Sequence, residues 1–415
     1  MKSLLSFILF LSAFFMIYSS LHYYFYRKLN SAVVMGPLFN WLLLIFLLVM
    51  LLSPILINVS IKHGNYLLTT SLAYIGYTWM GALFLFFSIH FLIDIYTGIF
   101  HFASRIFSPV FIMLNPGNRV SFVITVIMVI GIIIYGRFEA EKIEIETVAL
   151  KTDKLPSEIS SLRIVQISDI HFSVINGVGM ARKIVDKIES LSPDILVSTG
   201  DFIDRGLKEK GRVAELFRSL KVPYGKYAVT GNHEFYAGIT DAVKWTEKAG
   251  FRMLRNEGIT AGDIVNIAGV DDPTAKRFGH DASISEDEIL KKFSDEKLTI
   301  LLKHQPKISA KSAELFDLQL SGHTHNGQIF PFSLLTSLFF PYHEGLFMIG
   351  KHAYLYVSRG TGTWGPPVRF LSSPEVTLIE FQNLATLSAK AGSCDSLFAK
   401  FIYLDTMALI ASCNA

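Results

Sequence analysis

Five short blocks of the sequence carry histidine, aspartate and asparagine at spacings that suit metal chemistry. The blocks read SDIHF, GDFID, GNHEF, KHQP and GHTHNG, and each follows an apolar run of strand length. The candidate ligands in these blocks are Asp169, His171, Asp201, Asn232, His304, His323 and His325. Imidazole, carboxylate and amide oxygen form a donor set that suits Mn, Fe or Zn rather than thiophilic ions. The chain has only Cys394 and Cys413, which excludes a disulfide framework and a cysteine-rich metal site.

The elements around these blocks predict that the candidate ligands meet at one edge of a sheet. Apolar strand-like runs alternate with helical patterns from "LRIVQISDI" to "DLQLSGHTHNGQI". This alternation predicts an α/β sandwich with a mostly parallel central sheet, whose ligands gather at the carboxyl ends of the strands. Residues two apart at a strand end point to the same side, so the spacing pairs Asp169 with His171 and His323 with His325. The adjoining glycines allow the backbone to turn tightly there.

The order of the blocks resembles that of a known family. The pattern D-x-H, GDxxD, GNH[E/D], a lone H and GHxH is similar to that of the calcineurin-like metallophosphoesterases, over about residues 160–381. The later stretch "SRGTGTWGPPVRFLSSPEVTLIEF" resembles the ending of the membrane-attached bacterial branch, which includes enzymes of the UDP-2,3-diacylglucosamine hydrolase type. Five blocks in order are highly specific, whereas any one of them alone is weak.

The resemblance implies a site with two divalent metal ions and a role for each motif residue. The first metal would be bound by Asp169, His171 and His325, and the second by Asn232, His304 and His323. Asp201 would bridge both metals, since two cations about 3.5–4 Å apart need one shared carboxylate. His233 would stand by the leaving group and protonate it, with Asp204 as the carboxylate that orients it. Arg205, Arg359 and Arg369 are weaker candidates for contact with a substrate phosphate.

The first third of the chain has a different composition from the rest. Residues 1–136 contain a single acid, Asp94, while residues 139–381 have the mixed charge of a globular domain. Four apolar stretches of roughly bilayer-spanning length, about 20 residues each, occur in the first part. They run approximately over Leu4–Tyr23, Leu38–Ile57, Leu67–Ile93 and Val120–Tyr135. We therefore predict a transmembrane domain of four helices over 1–138, a metallophosphoesterase domain over 139–383 and a tail of unassigned role over 384–415.

The side of the membrane on which the catalytic domain lies is weakly determined. Basic residues that flank the four stretches are evenly divided between the two sides, and Lys151 and Lys154 favour the cytoplasmic side for the catalytic domain. We predict an integral protein of a bacterial plasma or inner membrane. A formal net charge of +3 gives no argument for a nucleic-acid partner. Nothing in the sequence determines the oligomeric state.

An unusually apolar segment, "QIFPFSLLTSLFFPYHEGLFMIG", follows the last histidine block. Exposed apolar patches mark membrane or ligand contacts, so this segment either dips into the lipid surface or forms an apolar floor for an acyl chain. Packing of an ordinary insertion is the alternative.

These patterns together predict a membrane-bound hydrolase of phosphoester or pyrophosphate bonds. The anchor and the apolar segment favour a lipid-linked or nucleotide-type substrate, such as a UDP-2,3-diacylglucosamine-like nucleotide lipid. A membrane-surface phosphodiesterase or phosphoprotein phosphatase is the alternative. A transporter or sensor with a non-catalytic metal-binding domain would show damaged motifs and spans broken by charges, glycine or proline, and the blocks here are intact.

Overall fold

The amino-terminal part of the protein consists of four long helices. The structure is a computed structural model, and it describes residues 2–280 and 284–386. The four helices are α1 (Lys2–Ala32), α2 (Pro37–His63), α3 (Tyr66–Ile106) and α4 (Gly117–Glu141), and a 3₁₀ helix over Pro109–Leu114 joins the last two. Three segments of the described residues are long and apolar enough to cross a membrane: Pro37–His63, Tyr66–Ile106 and Pro109–Glu141. That α1 is a fourth span stays a prediction.

Aromatic packing and an ion pair hold α1 against α3. The ring of Phe25 packs edge-on against Trp79 and Phe86 at centroid distances of 5.3 and 5.0 Å. The Lys28 ammonium lies 2.5 Å from a carboxylate oxygen of Asp94, the single acid within residues 1–136. Charged side chains among apolar helices are costly unless they are paired, so this ion pair fixes the register of the two helices.

In the described part of the chain, twelve strands follow the four helices and form two six-stranded sheets. In the first sheet the order is β1 (Glu144–Thr152), β12 (Glu375–Asn383), β2 (Ser161–Ile167), β3 (Ile195–Ser198), β4 (Lys226–Ala228) and β5 (Arg252–Met253). In the second it is β10 (Gly345–Ile349), β11 (Ala353–Val357), β9 (Leu318–Ser321), β8 (Leu298–Leu302), β7 (Val265–Gly269) and β6 (Glu257–Ala261). The shorter helices are α5 (Val178–Leu191), α6 (Lys210–Arg218), α7 (Asn232–Ala237), α8 (Ile239–Lys248), α9 (Glu286–Leu290) and α10 (Phe332–Phe339).

The two sheets pack face to face, and this arrangement confirms the predicted α/β class. A core between them includes Ile164 of β2, Val197 of β3 and Ile300 of β8. Alternate residues of the first sheet, such as Val165 and Leu196, turn outward against α5, α6 and α8. The single central sheet of the prediction is therefore wrong. An apolar run shows that a strand is buried on both faces, but not whether a helix or a second sheet covers each face.

Parallel pairing of the strands brings together the sequence blocks that carry the candidate metal ligands. Strands β2, β3 and β4 run parallel in one sheet, and β7, β8 and β9 run parallel in the other. The carboxyl ends of parallel strands open on the same edge, so loops far apart in sequence meet there.

The part of the protein that contains the two sheets packs directly on the four helices. Arg369 donates its backbone N–H to the carbonyl of Gly136 on α4. One shared apolar cluster contains Phe86 and Val129 of the helices together with Ile329 and Val368 of the loops near the site. These contacts place the loops beside the helices rather than at the end of a free linker.

Candidate active site

The seven predicted ligands converge at the carboxyl edge of the two sheets. Asp169 follows β2, Asp201 follows β3, and the loop after β9 carries His323. Five of the seven adopt positive φ angles between 50° and 75°, namely Asp169, His171, Asp201, His323 and His325. Left-handed backbone is costly for residues with a side chain and persists where the surroundings enforce it, as is typical of functional sites.

Two glycines allow the loops to approach one another closely. A Cβ atom on Gly231 would lie 2.1 Å from Oδ1 of Asp201, and one on Gly322 would lie 2.1 Å from Oδ2 of Asp169. Neither glycine has a positive φ. Their role is therefore space for neighbouring carboxylates rather than an unusual turn.

Asp169, His171 and His325 form the first cluster. The Nε2 atoms of the two imidazoles are 3.1 Å apart. Nε2 of His325 lies 3.5 Å from Oδ1 of Asp169. All three side chains are buried.

Asn232, His304 and His323 form the second cluster. Nε2 of His304 lies 3.2 Å from Oδ1 of Asn232 and 3.1 Å from Nδ1 of His323. The ring of His304 is fully buried, and its Nδ1 donates to the carbonyl oxygen of Thr199.

Asp201 stands between the two clusters. Its Oδ2 atom is 3.7 Å from Nε2 of His171 and 3.3 Å from Nε2 of His304. Its other oxygen accepts the backbone N–H of His233. Burial opposes ionisation of this carboxyl, but the imidazoles of His304 and His233 hold the pKa of Asp201 well below its usual value. One carboxylate oxygen thus faces both clusters.

The geometry fits a pair of metal ions. Donor atoms 2.0–2.2 Å from one ion, at angles of about 90–110°, lie roughly 2.8–3.6 Å from one another. The two separations given above for each cluster, 3.1 and 3.5 Å in the first and 3.2 and 3.1 Å in the second, are in that range. The imidazole protons are also held where a metal would require them, since Nδ1 of His171 faces a carboxylate oxygen of Asp204 and leaves Nε2 for an ion.

His233 and Asp204 form a close pair beside the clusters. Nδ1 of His233 lies 2.6 Å from Oδ1 of Asp204. Burial disfavours the imidazolium, but Asp204 and Asp201 outweigh that effect and raise the pKa of His233 to about 9. Such an imidazole is protonated at neutral pH and can act as an acid through Nε2. A ring nitrogen of His233 also lies within 4.8 Å of ligand atoms of His171 and Asp201, so these three residues could together hold a metal ion.

Glu234 organises the site by accepting backbone hydrogen bonds, a role that the sequence did not predict. Its buried carboxylate accepts backbone N–H groups of Asp201, Phe202 and Gly231, at 2.7–3.0 Å. It therefore ties the loop after β3 to the loop after β4. The signal for this role was present in the GNHE block, but an acid at the start of a helix is as often a simple cap.

The three arginines predicted to contact phosphate are held by other groups of the protein. Arg359 donates to Glu375 at 2.7 Å and lies 3.6 Å from Glu146. Arg369 is fully buried and donates to the carbonyls of residues 360, 362 and 372, with Nη2 3.3 Å from Nδ1 of His325. Arg205 donates to the carbonyl of Tyr236. A phosphate-binding role for each of them remains a prediction.

Aromatic residues surround the opening of the site. The exposed ring of Trp364 packs edge-on against His233 at 5.8 Å, and Phe340 packs against His323 at 5.2 Å. Helix α3 packs behind the loops near this opening, since a Cβ on Gly81 would lie 3.3 Å from Pro366 and 3.4 Å from Ile329. No motif in the apolar span predicts this packing.

The fold and the two clusters define a metal-dependent phosphoester hydrolase, and comparison with known proteins agrees. The family model described as calcineurin-like phosphoesterase matches residues 162–327. A metallophosphoesterase of Aquifex aeolicus is 37% identical over 247 residues, which cover 59% of this chain and 94% of that protein. The chain belongs to the calcineurin-like metallophosphoesterase family.

Other relatives match over a smaller share of their length. A metallophosphoesterase of Helicobacter pylori is 36% identical over 57% of this chain and 63% of its own. A transmembrane protein with metallophosphoesterase domain from Danio rerio is 32% identical, over 62% of each chain. The chain therefore spans less than two thirds of these two relatives.

Among solved structures, the likeness is low. The NAD nucleotidase of Haemophilus influenzae is similar with a TM-score of 0.32 and 18% identity, over 48% of this chain and 45% of that one. A 5'-nucleotidase precursor of Thermus thermophilus has a TM-score of 0.33 and 13% identity, over 56% and 58%. Scores of this size add nothing to the assignment.

Proposed function

We propose that this protein is a membrane-bound two-metal hydrolase that cleaves a phosphoester or pyrophosphate bond of a lipid-linked substrate, such as a UDP-2,3-diacylglucosamine-like nucleotide lipid. The observation that carries the proposal is the position of α10. This helix is apolar and exposed, it packs on a membrane helix, and it leads directly to a residue that touches the metal clusters.

The proposed metal site uses the residues of both clusters. The ligands are Asp169, His171 and His325 for one ion, Asn232, His304 and His323 for the other, and Asp201 for both. Bound Mn, Fe or Zn would supply Lewis-acid polarisation of the phosphoryl group and an acidic water. Asp201 and the imidazoles orient that centre, and Glu234 keeps the two loops that carry Asp201 and Asn232 in register.

His233 is the proposed proton donor. Its Nδ1 is held by Asp204, so its Nε2 is free to protonate the leaving oxygen while negative charge develops there. Asp204 orients His233 and, through its second oxygen, His171. Asp204 is therefore a positioning residue.

The apolar surface of α10 supports a lipid substrate. Leu338 and Phe339 are each 77% exposed, and Phe332 at the start of the helix packs edge-on against Phe84 of α3 at 5.8 Å. Exposed apolar groups next to a membrane helix gain free energy when lipid covers them, about 25 cal/mol per Å². Phe340 follows the helix and packs on His323. An acyl chain lying along α10 would thus bring its phosphate to the metal clusters.

The test compares substrates in the purified protein and in two variants. We expect Leu338→Glu and Phe339→Glu to lower kcat/KM for a detergent-dispersed nucleotide lipid by about tenfold or more, since charge on a lipid-facing surface costs a few kcal/mol. Hydrolysis of a soluble phosphodiester, such as bis(p-nitrophenyl) phosphate, should fall less. Met348→Glu, at an exposed apolar residue outside α10, is the matched control.

Equal hydrolysis of lipid and soluble substrates by the unaltered protein would contradict the lipid proposal. A membrane-surface phosphodiesterase or phosphoprotein phosphatase would then be the better description, with α10 serving as an anchor. Metal analysis of the purified protein, with Asp201→Ala as the inactive control, tests the two-metal site itself.

The division of the chain and its location are parts of the same proposal. We place a transmembrane domain at 1–138 and the catalytic domain at 139–383, in a bacterial inner membrane with the catalytic domain in the cytoplasm. The predicted tail, 384–415, lies almost wholly outside the described residues. Cysteine labelling of the loops between the helices tests the orientation.

A further inference from the structure

A polar cavity lies beside the second cluster. Its volume is about 260 Å³, and two of its lining residues are the proposed ligands Asn232 and His323. Tyr236 also lines it and packs against the ring of His233 at 5.2 Å. The cavity therefore adjoins the second metal site and is bounded by a residue that packs on the proposed proton donor, so a leaving group at that donor would lie next to it.

The charged residues of this cavity are both cations. Arg277 comes from a 3₁₀ helix over Pro273–Phe278, and Lys307 comes from the loop after β8. None of the described residues that line the cavity is an aspartate or glutamate. Gln305, another lining residue, is held by a hydrogen bond from its amide to Asp272, at 2.8 Å. A cavity with two cations and no carboxylate suits an anion.

Lys307 also faces the apolar route into the site. Its ammonium lies 5.8 Å from the ring centroid of Phe340, the residue that joins α10 to the second cluster. By contrast, Arg359 and Arg369 are committed to a carboxylate and to backbone carbonyls. The cations that a substrate meets beside the metals are thus Arg277 and Lys307, which the sequence motifs do not include.

We propose that this cavity binds a second phosphate of the substrate, so that the bond cleaved is the P–O–P bond of a pyrophosphate diester. The inference rests on the proposed hydrolase function and makes its substrate class narrower. Arg277 and Lys307 would contact the oxygens of the departing phosphate, where charge accumulates as the bond breaks.

The reaction balances with water as the only other reactant. A water oxygen forms a bond to one phosphorus, and the bond from that phosphorus to the bridging oxygen breaks. The electron pair stays on the bridging oxygen, which takes a proton from Nε2 of His233. The water releases one proton, and the products are two phosphate monoesters. Charge-assisted hydrogen bonds to the departing group would favour this cleavage over that of an ester with one phosphorus.

The test measures a ratio of specificities in the full-length protein in detergent. The probes are a lipid-linked nucleoside pyrophosphate and bis(p-nitrophenyl) phosphate, which has one phosphorus. The measured quantity is kcat/KM for the lipid-linked pyrophosphate divided by kcat/KM for bis(p-nitrophenyl) phosphate. Arg277→Gln and Lys307→Gln should each lower this ratio by about tenfold, because each variant loses a hydrogen bond to a charged group. Lys311→Gln, at an exposed lysine on the same loop, is the control and should keep the ratio.

The outcomes separate the inference from the proposed function. A lowered ratio in both variants supports the second-phosphate site. An unchanged ratio, or hydrolysis by the unaltered protein of the one-phosphorus probe alone, overturns it and leaves the hydrolase standing. Failure of the metal-loaded protein to cleave either probe overturns the proposed function and the inference with it.

Discussion

Asp204 contacts two imidazoles with different proposed tasks. Its Oδ1 lies 2.6 Å from Nδ1 of His233, and its Oδ2 lies 3.0 Å from Nδ1 of His171. Burial opposes the charged form, but the two histidines hold the pKa of this carboxyl below its usual value. A single carboxylate thus fixes the ring orientation of a metal ligand and of the proton donor.

The proton-donor role of His233 leads to a prediction about leaving groups. We expect His233→Gln to lower kcat for an alkyl phosphoester by about 10²–10⁴-fold, because the leaving alkoxide needs a proton. The loss should be much smaller for p-nitrophenyl esters, whose leaving group departs without one. Steady-state kinetics over a series of leaving groups measures this difference.

Metal analysis of the same variant separates two roles for His233. Full metal content would agree with a proton donor, whereas loss of one ion would show that His233 is a ligand, as its distances to His171 and Asp201 allow. His352→Gln, at an exposed histidine outside the motifs, is the matched control.

At the level of residues, the motifs predicted which candidate ligands lie close together, but they did not predict which neighbouring residues hold those ligands in place. Asp169, Asn232 and His304 come from loops far apart in sequence and lie at one edge because parallel strands deliver them there. The alternation of strand-like and helical patterns in the sequence was enough to predict this convergence. The hydrogen bonds of Arg369 to backbone carbonyls could not be predicted. An arginine near a glycine-rich loop can bind a phosphate or a set of backbone carbonyls equally well.

At the level of elements, α4 and the loop over residues 369–373 act together. The buried carboxylate of Glu139 accepts the backbone N–H groups of Leu371 and Ser372, at 3.2 and 2.9 Å. The side chain of Ser372 in turn donates to the carbonyl of His325. The end of a membrane helix thereby supports the backbone beside a proposed metal ligand.

Removal of Glu139 should loosen this loop. We expect Glu139→Ala to speed amide hydrogen exchange at Leu371 and Ser372 by about tenfold or more, because two buried donors lose a charged acceptor worth about 1–3 kcal/mol. Hydrogen-exchange mass spectrometry of the detergent-solubilised protein measures the change.

Glu141→Ala is the control for that experiment. Glu141 lies one half-turn further along the same helix, is exposed, and pairs with Arg137 and Lys183. Exposed pairs contribute little to stability, so this variant should leave exchange in the loop as it is. Equal exchange in the Glu139 variant would contradict the coupling between helix and loop.

The apolar runs predicted that the long amino-terminal helices exist, but they did not predict the residues at which these helices end. The third run was predicted over Leu67–Ile93, but α3 continues to Ile106. The extension packs on the 3₁₀ helix, where the rings of Phe100 and Phe111 meet at 6.3 Å. Hydropathy reports the part of a helix that suits lipid, and tertiary contacts decide how far the helix continues.

At the level of the whole molecule, the helices fix which ends share a side with the catalytic domain. The turn between α2 and α3 adjoins that domain, since a Cβ on Gly206 would lie 3.1 Å from Ile61. The turn between α1 and α2 lies at the other end of α2, a helix of 27 residues that spans about 40 Å. With α2 placed across a bilayer, as its length and composition allow, the two turns lie on opposite faces.

Cysteine labelling tests the proposed orientation. In a protein with Cys394 and Cys413 replaced by serine, we expect an impermeant maleimide to label Val34→Cys in intact cells. His63→Cys should react only after the membrane is opened, because it lies on the side of the catalytic domain. The reverse pattern would place the catalytic domain outside the cytoplasm. Labelling of both in detergent checks that each cysteine is accessible.

The close packing of α3 on the loops beside the site, where a Cβ on Gly81 would lie 3.3 Å from Pro366 and 3.4 Å from Ile329, means that the anchor is not an interchangeable tether. A chimera that retained residues 142–383 behind an unrelated pair of membrane helices would return the sandwich to the lipid surface. It would still lack the helix against which Ile329 and Val368 pack. Mutations that adapt α3 to a thicker or thinner bilayer would therefore also disturb the loops beside the site, so the two parts of the chain should evolve as one unit.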